Sequence, residues 1–557
     1  TSFTQELSPT GGNGVYVFVK GSLTRLEIIQ PGHVTSYDAG NIWSSNFLSY
    51  HQGLACSPIR FMDFTSASDN IETEWSQRVP ATALSFVSGC AYGKKVVPWE
   101  HIFDLCNRLN ADAWINIPVR ASASYVSNLA ALAASDLDAG LRVYAERGNE
   151  TWNPGSAWAE CRAWQIYYGN TKLTATANYG ANTFTLVAHG LTTGDDVRCF
   201  STPENEATAL NQNYPYTSVV SGLARSNIAY VERVDADTFK LYSDVGRTTL
   251  LTVGARQVNQ IVMQNTFASA NTVYGDMCID MWDAFDAALG ADRVVHLIPS
   301  QAGATGTTTA RFSNTTAAAR ADCVAVAPYF NGVYFSGAVV TSSGTFAPQV
   351  WVSNDEGAVF IFAVYASGAT PTIDDVIAGT GAIAHQLGTD IDNQDFWQKG
   401  LAGLSNVTGL SNGTSYKVFF VLNSLYMISD TITATASATT TYIFDTAAEQ
   451  AKRMVLNAYY TAPTSGSYDH ITASGGKSVI CYEGGPDFNA TRPVGDTVID
   501  AWRSSIEETS EYGAAVLQAQ YIRASQGIDE LTYFADVGSG SFSLADSYSD
   551  TTDPRYV

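Results

Sequence analysis

The sequence is poor in charge, and above all in positive charge. Charged residues make up 15% of its 557 residues, and 30 Lys and Arg stand against 53 Asp and Glu, which gives a net charge of −23. A surface this negative repels phosphate backbones and anionic lipid, which argues against a nucleic-acid partner and against binding to a membrane surface. No apolar run approaches the roughly 18 residues that would indicate a membrane span.

Cysteine and histidine are also sparse. The eight cysteines are scattered without a CxxC pair, and several lie in apolar stretches, which favours buried free thiols over a disulfide framework. The seven His form neither HxxxH nor HExxH, so we expect no catalytic metal site and no cofactor. The chain opens TSFTQELSPTGGNG, without an initiator Met or the start of a signal peptide, which is typical of a processed or truncated product.

The composition is otherwise that of a packed protein, with 45% hydrophobic residues. After residue 55, apolar runs of strand length alternate with helical patterns of about 10–15 residues, which is typical of βα units. The predicted strands are IRFMDF (59–64), AWINIP (113–118), LRVYAERGNE (141–150), VVHLIPS (294–300), CVAVAPYF (323–330), SVICYEGG (478–485) and LTYFADVGS (531–539). With an eighth strand near LTRLEII, before residue 50, this pattern predicts an α/β fold, a (β/α)8 TIM barrel.

Two stretches break the βα rhythm and are rich in Thr, Val, Tyr and Gly, with frequent turn signals. We expect both to be small all-β domains inserted into the barrel. Because they follow strands, they belong to the loops above the C-terminal face of the barrel, where active sites of this fold lie. The predicted organisation is an N-terminal β segment (1–30), barrel parts 31–170, 259–332 and 446–557, and inserted β domains 171–258 and 333–445.

Two predicted strands end in a carboxylate, as Asn149-Glu150 and as Tyr482-Glu483. Retaining glycoside hydrolysis uses such a pair, roughly 5–5.5 Å apart, as general acid/base and nucleophile. Structural alternatives stay open for each residue. Glu150 could cap the first turn of a helix starting near Pro154, and Glu483 could be a surface-turn residue.

With these motifs the sequence resembles clan A of the (β/α)8 retaining glycoside hydrolases. The resemblance depends on Asn149-Glu150 followed by Trp152, on Glu483 followed by two glycines at the end of the other carboxylate-bearing strand, and on the strand count. It covers about 350 residues of barrel. It implies that Glu150 is the acid/base, that Asn149 holds the sugar 2-hydroxyl, and that Glu483 is the nucleophile.

Further residues are candidates for contact with substrate. Arg60 and Asp63 flank the tip of the second strand, where the resemblance implies an Arg that hydrogen-bonds the nucleophile, although Arg60 could instead form an ion pair at the base of the barrel. Glu146, in the middle of its strand, is expected to be a paired structural charge. The other candidates lie at or near strand ends: Asn116, Trp152, Gln301, Tyr329 and Tyr482.

The inserted segments carry resemblances of their own. HGLTTGDDVRCF with DADTFKLYSD is similar to a small β module of bacteriophage tail and other virion proteins. NGTSYKVFFVL resembles the late strands of a fibronectin type III sandwich, with Thr414 and Tyr416 where a tyrosine corner would lie. They imply a phage or prophage source, an extracellular or virion-associated location and other virion tail proteins as candidate partners. The alternative is that they are generic accessory domains of a carbohydrate-active enzyme.

The predicted function is a retaining endo-glycoside hydrolase that degrades a polysaccharide of the bacterial capsule or an exopolysaccharide, as a phage tail-type depolymerase does. The alternative is a non-catalytic glycan-binding virion or surface protein on a TIM-barrel scaffold, because fold does not imply activity. A polysaccharide lyase would need a basic cluster that neutralises a uronate, and the sequence contains no such cluster.

Overall fold

The chain divides into two units, which are described separately. The computed structural model describes residues 41–68, 70, 72–82, 96–153, 158–169, 173–178, 180–201, 228–253, 259–264, 267–329, 335–352, 359–389, 404–422, 426–444, 446–460, 462–485, 505–506, 509–531, 535–537 and 543–545. Unit 1 comprises Thr1–Val326 and His470–Ser478, and unit 2 comprises Ala327–Asp469 and Val479–Val557. The predicted N-terminal β segment (1–30) and the LTRLEII strand lie outside the described residues.

Helices and strands alternate up to residue 169, and strands predominate in 173–264 and 335–444. The α-helices are α1 Ser45–Leu54, α2 Trp99–Leu109, α3 Ala123–Asp136, α4 Ala159–Gly169, α5 Phe267–Leu289, α6 Thr305–Arg311, α7 Thr315–Arg320, α8 Ile373–Ala378, α9 Ala447–Tyr460, α10 His470–Ala473 and α11 Ser510–Ser525. The strands of unit 1 are β1 Ile59–Arg60, β2 Ala113–Ile117, β3 Val143–Arg147, β4 Leu173–Asn178, β5 Thr183–Thr185, β6 Asp196–Ser201, β7 Ala229–Arg233, β8 Thr238–Tyr242, β9 Asn259–Gln264, β10 Val294–Val295, β11 Leu297–Pro299 and β12 Cys323–Val326. Those that follow are β13 Phe335–Ser342, β14 Thr345–Val352, β15 Val359–Ala366, β16 Ala384–Thr389, β17 Ser415–Leu422, β18 Tyr426–Thr433, β19 Thr439–Phe444, β20 Ser478–Cys481, β21 Ile528–Leu531, β22 Ala535–Val537 and β23 Ser543–Ala545.

The structure confirms a mixed α/β class. In unit 1, β1 pairs with β2, β2 with β3 and β3 with β10, all parallel and in chain order. β11 and β12 form a further parallel pair. Every residue of β2 and β3 is buried, as expected for a parallel sheet that is covered on both faces. Within the described residues no closed ring of eight parallel strands is seen, so the (β/α)8 barrel stays a prediction.

The helices beside this sheet begin and end where the sequence supplies the signals. α2 turns an apolar face of Ile102, Phe103 and Cys106 into the core and packs against β2. It ends at Asn110, whose φ of +52° breaks the helix. α3 begins after Ser122, whose hydroxyl accepts the backbone N–H of Tyr125 as an N-cap.

The strand predicted over 59–64 is wrong beyond Arg60. From Phe61 the chain forms turns, because the Thr65 hydroxyl donates to the carbonyl of Phe61 and the Asn70 amide donates 2.9 Å to the carbonyl of Thr65. Side-chain bonds of this kind compete with the strand ladder. The loop that results contains the described residues 61–68, 70 and 72–82 and follows β1 in the chain.

An antiparallel β-barrel interrupts unit 1 after α4. Its six strands close in the order β4-β5-β8-β7-β6-β9. Phe184 and Phe239 stack at its centre with ring centroids 5.3 Å apart, and Val197, Val231 and Leu241 pack around them. Because β9 closes the barrel, this segment runs past the predicted boundary at residue 258.

Unit 2 contains a β-sandwich made from two antiparallel sheets. One sheet has the order β14-β13-β19 and the other the order β16-β15-β17-β18. Their inner faces share a core that includes Phe346, Phe362 and Phe420. The hydroxyl of Tyr416 accepts the backbone N–H of Ser411 over 2.9 Å, which is the geometry of a tyrosine corner. The same unit contains the packed helices α9 and α11 and the parallel pair β20 and β21.

The cysteines of the described chain are free thiols. Six of the seven are buried, which confirms the prediction for them, while Cys56 is exposed. Burial raises the pKa of the Cys199 and Cys278 thiols to about 12, so both stay protonated and serve as small apolar core residues.

Candidate active site

The chain turns sharply where β3 ends. Gly148 and Glu150 both take positive φ angles, +72° and +42°. A Cβ atom at position 148 would lie 3.0 Å from Cγ2 of Thr151 and 3.3 Å from Sγ of Cys161, so the position needs glycine for both conformation and space. The backbone N–H of Asn153 donates 2.8 Å to the carbonyl of Glu150 and closes the turn.

A buried ion pair lies beside this turn. Arg60 donates two hydrogen bonds to the carboxylate of Glu146, at 3.0 and 2.9 Å, and the Trp114 indole N–H donates a third at 2.9 Å. The side chains of Arg60 and Glu146 are 4% and 1% exposed. A buried carboxylate with a bidentate guanidinium and an indole donor is fully engaged, so Glu146 has the structural role expected of a paired charge.

Both polar atoms of the Asn149 side-chain amide are hydrogen-bonded. Its Oδ1 accepts 2.8 Å from Nη2 of Arg60, and its Nδ2 donates 3.0 Å to the hydroxyl of Ser68 in the loop after β1. The residue is 2% exposed. The amide has a second hydrogen on Nδ2, which is the group that a sugar hydroxyl would have to use. Arg60 therefore links the structural carboxylate of Glu146 to the residue that precedes Glu150.

Glu150 itself is partly buried. Its Oε2 accepts a 2.8 Å hydrogen bond from the Asn153 amide, three residues later in the same turn. The turn thus fixes both the backbone and the carboxyl group of Glu150. The alternative in which Glu150 caps a helix near Pro154 lies outside the described residues, and the next helix in the described chain begins at Ala159.

Trp152, a candidate for contact with substrate, is packed into the protein. It is 4% exposed, and the guanidinium of Arg311 lies 4.7 Å from its ring centre. In this position the ring contacts a cation of the core.

The remaining candidates of unit 1 occupy different settings. Asn116 is buried beside the turn and donates 3.0 Å to the carbonyl of Gly148, while its Oδ1 has no hydrogen-bond partner within the described residues. Asp63 is exposed in the loop after β1, and Gln301 is exposed two residues after β11 ends. The structure therefore brings Arg60, Asn116, Asn149 and Glu150 together and leaves Asp63 and Gln301 at the surface of the unit.

The second predicted carboxylate belongs to unit 2. Glu483 lies two residues beyond the end of β20 and is 7% exposed, and Tyr482 before it is 1% exposed. The thiol of Cys481 donates to the carbonyl of Glu483 over 2.8 Å. Glu483 is thus a buried residue at a strand end, and not the surface-turn residue of the alternative interpretation. Tyr329, at the end of the sixth predicted strand (323–330), is partly buried.

A buried cation accompanies these residues in unit 2. Arg523 on α11 is 1% exposed and donates 3.3 Å to the carbonyl of Pro328, the residue before Tyr329. Burial lowers the pKa of Arg523 to about 10, so the guanidinium remains charged at neutral pH.

A further buried carboxyl lies in the loop after β1. Glu72 is 2% exposed, its Oε2 accepts 2.7 Å from the Tyr125 hydroxyl, and that hydroxyl accepts 2.9 Å from the Trp99 indole. Burial raises the pKa of Glu72 to about 7, and the Tyr125 bond and the charge of Arg78 only partly oppose it. This chain of hydrogen bonds attaches the loop that carries Ser68 to α2 and α3.

Sequence reasoning did not find Ser68, Glu72 or Arg311. Their partners are far away along the chain, and no local pattern indicates such contacts. Asn153 did have a signal, because Asn near a strand end often forms a side-chain bond to a turn.

No protein-family model matches the chain, and no curated protein or solved structure matches it significantly. In the part of the chain that the structure describes, no cluster of three His, Cys, Asp or Glu side chains is arranged to hold a metal ion. None of the described helices combines the length and the apolar character needed to cross a membrane.

Proposed function

We propose that the protein is a retaining glycoside hydrolase that cleaves a polysaccharide. The observation that carries this proposal is the turn at the end of β3, where Asn149 and Glu150 follow a buried parallel strand. Arg60 and Ser68 hold the amide of Asn149, and Asn153 holds the carboxyl group of Glu150. A carboxylate fixed in this way at a strand end is pre-organised for acid/base chemistry.

The proposal includes a (β/α)8 barrel as the scaffold. Its support is the chain order of the parallel strands, since β1, β2, β3 and β10 are neighbours in sequence order. The parallel pairs β11–β12 and β20–β21 continue the same order in later parts of the chain. Helices stand between most of these strands, as in repeated βα units.

In the proposed mechanism the Glu483 carboxylate attacks the anomeric carbon while the Glu150 carboxylic acid protonates the departing glycosidic oxygen. The glycosidic bond breaks, and a covalent glycosyl ester forms on Glu483. Water then loses a proton to Glu150 and attacks the same carbon, which releases Glu483 and retains the anomeric configuration. Partial exposure suits the residue that exchanges protons with water, and burial suits the nucleophile.

The proposed substrate is a bacterial capsule or exopolysaccharide, and the proposed location is extracellular or on a virion tail, with other tail proteins as partners. The support is the pair of all-β segments that interrupt the chain after α4 and after β12. The second has a two-sheet sandwich with a hydrogen bond from Ser411 to the Tyr416 hydroxyl, in keeping with the fibronectin-like expectation.

A non-catalytic glycan-binding protein is the second candidate. Such a protein would bind the polymer at another surface, because Asn149 and Glu483 are 2% and 7% exposed and offer little area for contact.

A panel of purified bacterial polysaccharides separates the two candidates. We expect the protein to shorten one polymer, measured by size-exclusion chromatography, and Glu483→Gln to lose that activity by several orders of magnitude. Glu511→Gln, an exposed carboxylate of the same unit, is the matched control and keeps the activity. Binding of a polymer without any shortening would favour the glycan-binding protein. Activity of Glu483→Gln equal to that of the parent would exclude Glu483 as the nucleophile.

A further inference from the structure

One arginine of unit 1 is buried at the junction of four segments. Arg311, the last residue of α6, is 0% exposed. It donates 2.7 Å to the carbonyl of Pro299 at the end of β11, 2.7 Å to Oε1 of Gln165 on α4, and 3.2 Å to Oδ1 of Asn271 on α5. Its Nη2 also donates to the hydroxyl of Thr151. A guanidinium with donors in several directions suits such a junction, whereas an ammonium does not.

Two aromatic rings also contact this guanidinium. Its Cζ lies 3.8 Å from the ring centre of Tyr274 and 4.7 Å from that of Trp152. The hydroxyl of Tyr274 donates 2.8 Å to the carbonyl of Arg147, the last residue of β3. Arg311 therefore contacts the segment after β3 through Thr151 and Trp152, and Tyr274 bonds to the last residue of the strand.

The segment that Arg311 contacts begins immediately after Glu150. Glu150 has a φ of +42°, in the left-handed region that disfavours residues with a Cβ atom. Such a backbone persists only where its surroundings over-determine it. The next two residues supply that constraint, because Thr151 is bonded to Arg311 and the carbonyl of Trp152 accepts a bond from Arg162.

We infer that Arg311 is a positioning residue, which holds the turn after β3 so that the Glu150 carboxyl group keeps one orientation. This inference rests on the proposed function for its consequence in catalysis. The contact itself does not depend on any substrate. Misplacement of a catalytic group by ~1 Å costs on the order of a hundredfold in rate. Loss of the contacts that Arg311 makes with this turn should therefore lower the rate measurably.

The first test needs no substrate and is a double-mutant cycle followed by urea unfolding. Glu150→Gly relieves the left-handed backbone but also removes the bond from Asn153, so it is compared with Glu150→Ala, over which it should raise the unfolding midpoint. In proteins that carry Thr151→Val or Arg311→Met the turn can relax without the substitution. There Glu150→Gly should shift the unfolding midpoint, relative to Glu150→Ala, by a smaller amount. Thr151→Val removes a single hydroxyl and serves if Arg311→Met does not fold. An identical shift in every background that folds would overturn the inference.

The second test compares aryl glycosides that carry the sugar released from the polymer that the protein cleaves. A good leaving group needs little protonation and a poor one depends on the acid Glu150. In Arg311→Lys we expect kcat/KM to fall at least about tenfold more for the poor leaving group than for the activated one. A purely structural defect lowers the active fraction and reduces both rates equally.

The control for this comparison is Arg320→Lys. Arg320 ends α7, pairs with Asp283 and Asp286 on α5, and is not among the residues that hold the turn. Its leaving-group ratio should equal that of the parent. An unchanged ratio in Arg311→Lys would overturn the inference while leaving the proposed hydrolase intact. If the parent does not hydrolyse any substrate but the double-mutant cycle shows coupling between position 150 and Arg311 or Thr151, the proposed function is overturned. The inference that Arg311 holds the turn after β3 then stands.

Discussion

Replacement of Glu72 by Gln should make the stability of unit 1 less dependent on pH. Glu72 is a buried carboxyl whose Oε2 accepts the Tyr125 hydroxyl and whose Oε1 has no hydrogen-bond partner within the described residues. Burial raises its pKa from the ordinary 4.5 to about 7. Glutamine keeps an oxygen that can accept the Tyr125 bond and removes the titration, so the two proteins differ in one ionisation.

The magnitude follows from the raised pKa. A change from 4.5 to about 7 corresponds to roughly 3 kcal/mol, at about 1.4 kcal/mol for each pKa unit. Because the folded state binds the proton more tightly, this contribution is fully present below pH 4.5 and is lost as the pH rises through about 7. The free energy of unfolding of the parent should therefore decline by up to ~3 kcal/mol relative to Glu72→Gln across that interval, and the difference should level off above it.

Urea unfolding of both proteins between about pH 4 and about pH 8, followed by tryptophan fluorescence, measures this difference. Glu74→Gln, an exposed carboxylate of the same loop, is the control for loss of a negative charge. Parallel curves for the parent and Glu72→Gln would refute the reasoning, because they would mean that Glu72 titrates alike in the folded and unfolded chain.

Three further substitutions test other parts of the structure. Glu146→Gln leaves the buried Arg60 guanidinium without its carboxylate and should lower the free energy of unfolding by about 3–5 kcal/mol in urea titrations. Gly148→Ala places a Cβ at φ +72° within 3.0 Å of Thr151 and should cost more than about 1 kcal/mol in the same assay, whereas Gly140→Ala, with open space around it, should cost less. Tyr416→Phe removes the acceptor of the Ser411 N–H and should destabilise the sandwich by about 1 kcal/mol, seen as a lower Tm of its transition in calorimetry.

Local sequence patterns predicted many of the individual helices and strands, because apolar periodicity and end signals determine where such elements form. One of the helical patterns after residue 55, WEHIFDLCNRLNA, corresponds to α2, since its apolar residues recur on one face and Asn110 supplies the left-handed end. The predicted strands 113–118 and 323–330 extend past the ends of β2 at Ile117 and β12 at Val326, because apolar residues such as the buried Pro118 and Pro328 continue beyond the ladder. The 59–64 strand failed where Thr65 and Asn70 bond to the backbone instead.

The site was less accessible to sequence reasoning than the fold. The strand-end motif indicated Glu150, because a carboxylate after an apolar run has a local signature. The groups that hold it come from distant parts of the chain, as Ser68 and Arg311 do. Such contacts arise only when packing brings the segments together, and charge or polarity alone does not identify the partner of a buried Arg.

The most direct test of the central claim is the product formed with azide. On an activated aryl glycoside, Glu150→Ala should be accelerated by azide and give a glycosyl azide with the anomeric configuration of the substrate, because azide attacks the ester on Glu483. Glu483→Gly should also be rescued but give the opposite anomer, because azide then replaces the nucleophile. Proton NMR distinguishes the two products. Near-native activity of both variants without azide, or the same anomer from both, would contradict the assignment of Glu150 as acid/base and Glu483 as nucleophile.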